Sequence, residues 1–79
     1  MIRLVFLGKL ADLAGEETCE LPGPRNWPEL LSDLPAPLAE ALASDSTKVA
    51  VNGALAADKA AIVATAGDEI AFLPPVSGG

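Results

Sequence analysis

One short amphipathic helix, bounded by prolines, dominates the middle of this 79-residue chain. Asn26 followed three residues later by Glu29 is a capping-box pattern, and Pro28 falls in the first turn, where its missing N–H costs nothing. Apolar side chains then recur at i, i+3, i+4 and i+7 until prolines stop the pattern: Trp27, Leu30, Leu31 and Leu34. A single stripe of this kind must be buried against another layer of the same small domain.

Segments typical of strands lie on both sides of this helix. They are rich in β-branched or alternating apolar residues, and glycine or proline bounds most of them. Four strands are predicted in this way: residues 2–7, 16–21, 48–51 and 69–73. Apolar residues at helical spacing predict shorter helical pieces at 9–15 and 38–42.

The segment 54–66 fits two kinds of structure. Its alanine content and apolar spacing suit a helix, but it follows Asn52-Gly53, the strongest short hairpin signal in the chain. We therefore predict a short strand after the turn and then a tight helical turn. Lys59, within this segment, is expected to be a solvated surface lysine.

The charge composition narrows the possible partners. Eleven acidic residues against five basic ones and no histidine give a net charge of −6, which argues against nucleic acid and anionic membranes and favours a basic protein partner. The acidic residues are scattered, so neither a metal site, a cofactor nor an enzyme active site is predicted.

The cysteine content and the N-terminal segment bear on the compartment. Cys19 is the only cysteine, which excludes an internal disulfide and is typical of a small buried side chain in a strand. The apolar run at the N-terminus is too short for a secretory segment or a membrane span, so we expect a cytoplasmic protein.

The order of elements resembles the β-grasp topology, an α+β fold in which a mixed sheet of about five strands holds one main helix across one face. In that topology the first and last strands are parallel neighbours at the centre of the sheet. Strand alternation then turns one set of side chains toward the helix: Ile2, Leu4, Phe6, Ile70 and Phe72. The opposite face pairs Arg3 with Glu69 at one end and Leu7 with Leu73 at the other. We interpret that apolar end as a docking surface rather than a face covered by the same chain.

The chain ends in Gly78-Gly79 after the stiff run Pro74-Pro75-Val76-Ser77. Residues 1–73 are predicted to form the domain, and residues 74–79 a flexible tail. Two glycines pass through a channel too narrow for other residues and present an unhindered carboxylate. Six residues extend to about 20 Å, which is far enough to enter a partner's pocket.

The ending from Gly67 to Gly79 and the segment 51–55 resemble the small, sulfur-carrying subunit of molybdopterin synthase, in the MoaD-like branch of the ubiquitin-like β-grasp proteins. The resemblance implies a carrier that has no catalytic machinery of its own. An ATP-dependent, E1-like activating enzyme would adenylate Gly79, and sulfur would replace the adenylate to give a thiocarboxylate. The carrier would then dock on the large subunit of molybdopterin synthase, where the sulfur passes to cyclic pyranopterin monophosphate.

The same resemblance implies roles for individual residues. Gly79 would be modified and Gly78 would keep the channel narrow, whereas a second group would bind the partner: Leu7, Leu55, Leu73, Pro74, Pro75, Val76 and Ser77. Leucine stands at positions 7 and 73 where relatives can carry phenylalanine. Asp68 and Glu69 would contact the activating enzyme or, alternatively, shape a turn.

Three other functions remain open for such a chain. A thiamine-pathway sulfur carrier shares the fold and the terminal glycines, although Pro74-Pro75 and the segment 8–15 favour the molybdopterin branch. The domain would otherwise be a ubiquitin-like protein modifier or a passive interaction module.

Overall fold

The computed structural model describes residues 1–75 of the chain. Its elements in chain order are β1 (Ile2–Phe6), α1 (Lys9–Ala14), β2 (Thr18–Leu21), β3 (Arg25–Asn26), α2 (Trp27–Ser32), α3 (Ala36–Ala43), β4 (Lys48–Val51), β5 (Ala54–Leu55), a 3-10 turn (Lys59–Ala61), β6 (Val63–Ala64) and β7 (Glu69–Leu73). No helix among these described residues is long and apolar enough to cross a membrane.

Five strands form a mixed sheet in the order β2-β1-β7-β4-β5. The central pair, β1 and β7, is parallel, and the other neighbours are antiparallel. The α+β class, the β-grasp arrangement and the parallel central pair predicted from the sequence are therefore confirmed. The strands β3 and β6 pair separately as a two-stranded ladder.

One face of the sheet forms the core together with the helices. The predicted inward residues of β1 and β7 are all buried, and Phe6 stacks on Phe72 with ring centroids 5.5 Å apart. The ring centroid of Trp27, in the helical layer, lies 6.4 Å from that of Phe72 in the sheet. Leu10 of α1, Leu30 of α2 and two leucines of α3 belong to the same cluster, as do Val49, Ile62 and Ala64.

The capping box at the start of α2 is confirmed. The Asn26 side-chain oxygen accepts a hydrogen bond from the Glu29 N–H at 2.9 Å, and the Glu29 carboxylate accepts one from the Asn26 N–H at 2.9 Å. The helix ends at Ser32, however, before the apolar stripe does, and both Leu31, within the helix, and Leu34, beyond it, are only half-buried. The helical layer is divided between α2 and α3, with Pro37 in the first turn of α3.

The segment 54–66 contains the predicted short strand, β5, followed by the predicted helical turn, here of 3-10 type. The helical alternative is wrong because the Asn52-Gly53 turn, with both residues at positive φ, directs the chain back along β4. The two-residue strand β6 was not predicted.

The expectation of a solvated Lys59 is also wrong. Its ammonium donates hydrogen bonds to the carbonyl oxygens of Leu42, Ser44 and Thr47 at 2.7, 2.6 and 2.9 Å, and lies 5.6 Å from the centroid of the Trp27 ring. Burial lowers the pKa of Lys59, while the nearby Asp45 opposes that shift. A cation at the C-terminal end of α3 stabilises its exposed carbonyls, so Lys59 connects the 3-10 turn to that helix end.

Candidate functional site

One face of the five-stranded sheet is turned away from the core, and we call it the outer face. The residues at its two ends differ in character. Cross-strand register sets Glu20 beside Arg3 and Arg3 beside Glu69 at one end. At the other end Leu73 lies opposite Lys48, and the Leu7 N–H donates to the Phe72 carbonyl oxygen at 3.2 Å, which continues the β1–β7 pairing past β1.

Between these ends runs an apolar row in direct register across four strands: Val5, Ala71, Ala50 and Leu55. The period-two alternation of strands places Leu7 and Leu73 on the same face as this row. The three leucines predicted from the sequence, Leu7, Leu55 and Leu73, therefore share the outer face. We call them the leucine patch.

The leucine patch is accessible in the described part of the chain. Leu7 is 41% exposed, Leu55 is 69% exposed and Leu73 is half-buried between its neighbours. Residues 1–75 thus leave Leu7 and Leu55 uncovered, and apolar side chains grouped on one sheet face are typical of a protein-binding surface.

The tail root, by which we mean Pro74 and Pro75, leaves β7 directly beyond Leu73. Pro74 is half-buried and Pro75 is exposed. Gly8 has φ +55°, and a Cβ built there would come within 3.2 Å of the Pro74 ring. Pro74 therefore lies against the main chain just before α1. The other predicted tail residues, Val76, Ser77, Gly78 and Gly79, lie outside the described residues.

The opposite end of β7 is closed by a polar network. One Asp68 carboxylate oxygen accepts from the Thr65 N–H at 2.8 Å and the Thr65 hydroxyl at 3.1 Å, and the other accepts from the Asn52 amide at 3.0 Å. The Asn52 side-chain oxygen accepts from the Glu69 N–H at 2.9 Å. These hydrogen bonds lower the pKa of Asp68, and they join the two turns that precede β5 and β7.

Glu69 lies 3.9 Å from Arg3, with both side chains about half exposed. Asp68 and Glu69 are therefore at the far end of β7 from the tail root, and the structure does not bring them together with the leucine patch. Asp68 shapes a turn, which is the alternative role that the sequence offered. A contact with an activating enzyme stays a prediction for both residues.

Within 1–75 no group of three or more His, Cys, Asp or Glu side chains is placed to hold a metal ion. Cys19 is half-buried, and burial together with Glu16 and Glu20 raises the pKa of its thiol, which disfavours the nucleophilic thiolate.

Two features of this region were missed from the sequence. One is the close approach of Gly8 to Pro74, for which the only signal is an isolated glycine between a strand and a helix. The other is an apolar groove beside the tail root, which involves the exposed Leu13 of α1. Both depend on contacts between segments more than 25 residues apart, and no local pattern reports such contacts.

Several solved structures resemble this chain over nearly its whole length. The crystal structure of small archaeal modifier protein 1 from Haloferax volcanii is 29% identical, with a TM-score of 0.72, and the match covers 99% of this chain and 98% of that one. The solution structure of small archaeal modifier protein 1 from Methanosarcina acetivorans is 24% identical, with a TM-score of 0.77, and the match covers 99% of this chain and 95% of that one. At this level of identity the likeness supports the fold only.

A third similar structure comes from the protein–protein complex of subunits 1 and 2 of the molybdopterin-converting factor from Helicobacter pylori 26695. It is 26% identical, with a TM-score of 0.67, and the match covers 99% of this chain and 97% of that one. No curated protein sequence matches the chain significantly. The model of the ThiS family matches residues 4–79. The chain therefore belongs to the ThiS family and has the ubiquitin-like fold of its sulfur carriers.

Proposed function

We propose that this chain is the sulfur carrier of molybdopterin biosynthesis, a small subunit without catalytic groups of its own. Gly79 would be adenylated, converted to a thiocarboxylate and presented to the large subunit of molybdopterin synthase. The observation that supports this most is the position of the tail root: the chain leaves the sheet directly beyond Leu73, at the edge of the leucine patch. Docking through the patch would therefore hold the tail next to the partner.

The chemistry requires another protein to activate Gly79. A carboxylate resists displacement, so its oxygen first attacks the α-phosphorus of ATP and pyrophosphate leaves. A hydrosulfide ion then displaces AMP from the acyl adenylate and gives the thiocarboxylate directly. Where the donor is a persulfide, the acyl disulfide that forms is cleaved by a thiol, which leaves the thiocarboxylate and a new disulfide. A thiocarboxylate is ionised near neutral pH and has a polarisable sulfur, which makes it the better nucleophile for transfer to cyclic pyranopterin monophosphate.

The leucine patch would bind the large subunit and the tail would enter its active site. In this proposal Gly78 keeps the end of the tail narrow, and Val76 and Ser77 contact the wall of the partner's channel. Pro74 and Pro75 restrict the chain before binding, so less conformational entropy is lost when the tail enters the channel. The likeness to a chain of the molybdopterin-converting factor complex supports a partner of this type.

A protein-modifier role is the second candidate, and the 29% identity to small archaeal modifier protein 1 favours it. In that role the activated Gly79 carbonyl would form an amide with a lysine of another protein and AMP would leave. A thiamine-pathway carrier is the third candidate, favoured by the name of the family. All three roles use the same activated tail.

Intact-mass spectrometry distinguishes transfer chemistry from a passive module. The purified chain is incubated with ATP, an E1-like activating enzyme and a sulfur donor, and one oxygen is expected to be replaced by one sulfur at Gly79. Omitting ATP from the purified reaction serves as the control. A mass unchanged in the presence of ATP contradicts the carrier proposal, and adducts on lysines of other proteins support the modifier role.

The loaded carrier then identifies the pathway. Purified thiocarboxylate chain is mixed with the large synthase subunit and cyclic pyranopterin monophosphate, and formation of molybdopterin is followed by fluorescence of its oxidised derivative. Product from this mixture supports the molybdopterin branch. Failure here, combined with sulfur transfer to thiamine-pathway enzymes, favours the third candidate.

A further inference from the structure

An apolar groove lies on the other side of the tail root from the leucine patch. Its walls come from α1, the C-terminal part of α3, the loop before β4 and the tail root itself, and it includes Leu10, Leu13, Ala41, Thr47, Pro74 and Pro75. The volume is about 230 Å³ and the groove is open to the surface. A cavity of about 150 Å³ holds a benzene molecule, so this groove has room for one bulky apolar side chain.

Leu13 is the exposed apolar member of this groove. It is 49% exposed, whereas Leu10, at the groove's inner wall, is 3% exposed. The described residues expose five large apolar side chains: Met1, Leu7, Leu13, Leu55 and Val63. Leu7 and Leu55 belong to the leucine patch on one side of the tail root, and Leu13 lies on the other side. The tail thus leaves between two exposed apolar surfaces.

The hydroxyl groups around the groove are already hydrogen-bonded, and Lys9, which also lines the groove, is exposed. The Thr47 hydroxyl donates to the Ala41 carbonyl oxygen at 2.8 Å, and the Ser44 and Ser46 hydroxyls are bonded to each other at 2.9 Å. Covering these groups would leave none of them without a partner, so the cost of desolvation is small. The groove is therefore suited to receive an apolar group.

The length of the tail limits how far away a partner can sit. Four residues follow Pro75, and four residues extend to about 13 Å at most. A reaction centre reached by Gly79 must lie within that distance of Pro75. A channel that encloses so short a tail would bring its wall close to the carrier on both sides of the tail root, near the leucine patch and near the groove.

We propose that the groove receives an apolar side chain from the rim of the channel that accepts the tail, in the same partner that covers the leucine patch. The inference rests on the proposed function and adds a second contact surface centred on Leu13. Pro74 packs against Gly8, so this wall of the groove is already formed before binding.

The test measures the affinity of the full-length chain for the large synthase subunit by calorimetry. Leu13→Ser is expected to raise the Kd about fivefold or more, the usual loss for a truncated interface anchor. Val63→Ser is the matched control, because Val63 is 60% exposed on the separate two-stranded ladder, and its Kd is expected to stay within about twofold of wild type. Leu55→Ser reports on the leucine patch.

A second variant tests the groove without removing an apolar group. Ser46→Trp adds bulk at an exposed groove position, and if a partner side chain enters there the Kd is expected to rise. Binding that is unchanged or tighter in Ser46→Trp overturns the inference. Circular dichroism and Tm establish that each variant is folded.

The outcomes separate the inference from the proposed function. Binding by Leu13→Ser that matches Val63→Ser, while Leu55→Ser binds weakly, overturns the groove and leaves the proposed function intact. A wild-type chain that does not bind the large subunit overturns both. Sedimentation that shows Leu13→Ser abolishing self-association without weakening partner binding also overturns the inference, because the groove would then join two copies of the chain.

Discussion

The two ends of β7 differ in how their exposed groups are satisfied. At the Glu69 end, the Asp68 carboxylate accepts hydrogen bonds from Asn52 and Thr65, the Asn52 side chain accepts one from the Glu69 N–H, and the carboxylate of Glu69 faces Arg3. At the Leu73 end, Lys48 is the charged neighbour of Leu73, whereas Leu7 and Leu55 are exposed apolar side chains without cover within residues 1–75. A polar network completed within the chain stabilises the fold, whereas an uncovered apolar patch gains free energy only when another molecule covers it. We therefore expect stabilising contacts at one end of β7 and partner binding at the other.

The largest expected effect is on chemistry at the tail. Deleting Gly79 is expected to abolish thiocarboxylate formation and sulfur transfer and to leave Tm unchanged, since the residues that form the core and the network are untouched. Intact-mass spectrometry and thermal unfolding measure the two outcomes. Sulfur transfer by the truncated chain would contradict the carrier mechanism.

A charge at the apolar end is expected to weaken docking strongly. Leu73→Glu places a carboxylate in the leucine patch, and the Kd for the large subunit is expected to rise by about tenfold or more. The chain is expected to stay folded, because position 73 is on the outer face in register with Lys48. Glu69→Gln, on the same face at the other end of β7, is the control, and equal affinities for the two variants would argue against the assignment of binding to the Leu73 end.

Lys59→Met sharpens the comparison because it is expected to change the stability of the fold and not the affinity for the partner. The substitution removes three hydrogen bonds to carbonyl oxygens and is expected to lower the free energy of unfolding by about 2 kcal/mol. Urea denaturation measures the change. Affinity for the large subunit is expected to be unaltered; a large loss of affinity in the folded variant would show that the two properties are not separable here.

Asn52→Ala tests the hydrogen-bond network at the Glu69 end of β7. Asn52 adopts φ 50° and bonds to both Asp68 and Glu69, so alanine loses the hydrogen bonds and adopts an unfavourable backbone conformation. The expected loss is about 1 to 2 kcal/mol of unfolding free energy. Asn52→Gly keeps the backbone freedom and is expected to lose less. A more stable alanine variant would contradict the role of the network.

The smallest expected effect is on the pH dependence of stability. Hydrogen bonds lower the pKa of Asp68 in the folded chain, so its contribution is complete above the unfolded value, near 3.9, and is lost as pH falls through the lower folded value. Unfolding followed between about pH 5 and pH 2 should show a smaller acid loss for Asp68→Asn than for wild type. Identical profiles would mean that the network does not favour the ionised carboxylate.

Local sequence patterns correctly predicted several features that depend only on residues close together in the chain. The bounds of β7, the buried parity of β1 and β7 and the capping box at Asn26 all agree with the structure. The two-residue strands β3 and β6 are too short to show alternation, so no periodic signal marks them. Lys59 was misinterpreted because its partners are 12 to 17 residues away.

The candidate site was likewise only partly predictable from the sequence. Strand alternation was enough to place Leu7 and Leu73 on one face, and the hairpin turn brought Leu55 beside Ala50 in the same face. The groove could not be predicted, because it forms only when α1, α3 and the tail root meet. Four of the predicted tail residues lie outside the described chain, so their roles rest on the proposal.

The parallel pairing of β1 with β7 determines where a label can be attached. Met1 accepts a hydrogen bond from Gly67 at the network end of the sheet, and both strands run from there toward the tail. A fluorophore, affinity handle or surface tether joined before Met1 would therefore lie about one strand length away from the tail root. Immobilising the protein by its first residue would leave the tail root and both apolar surfaces accessible to molecules in solution.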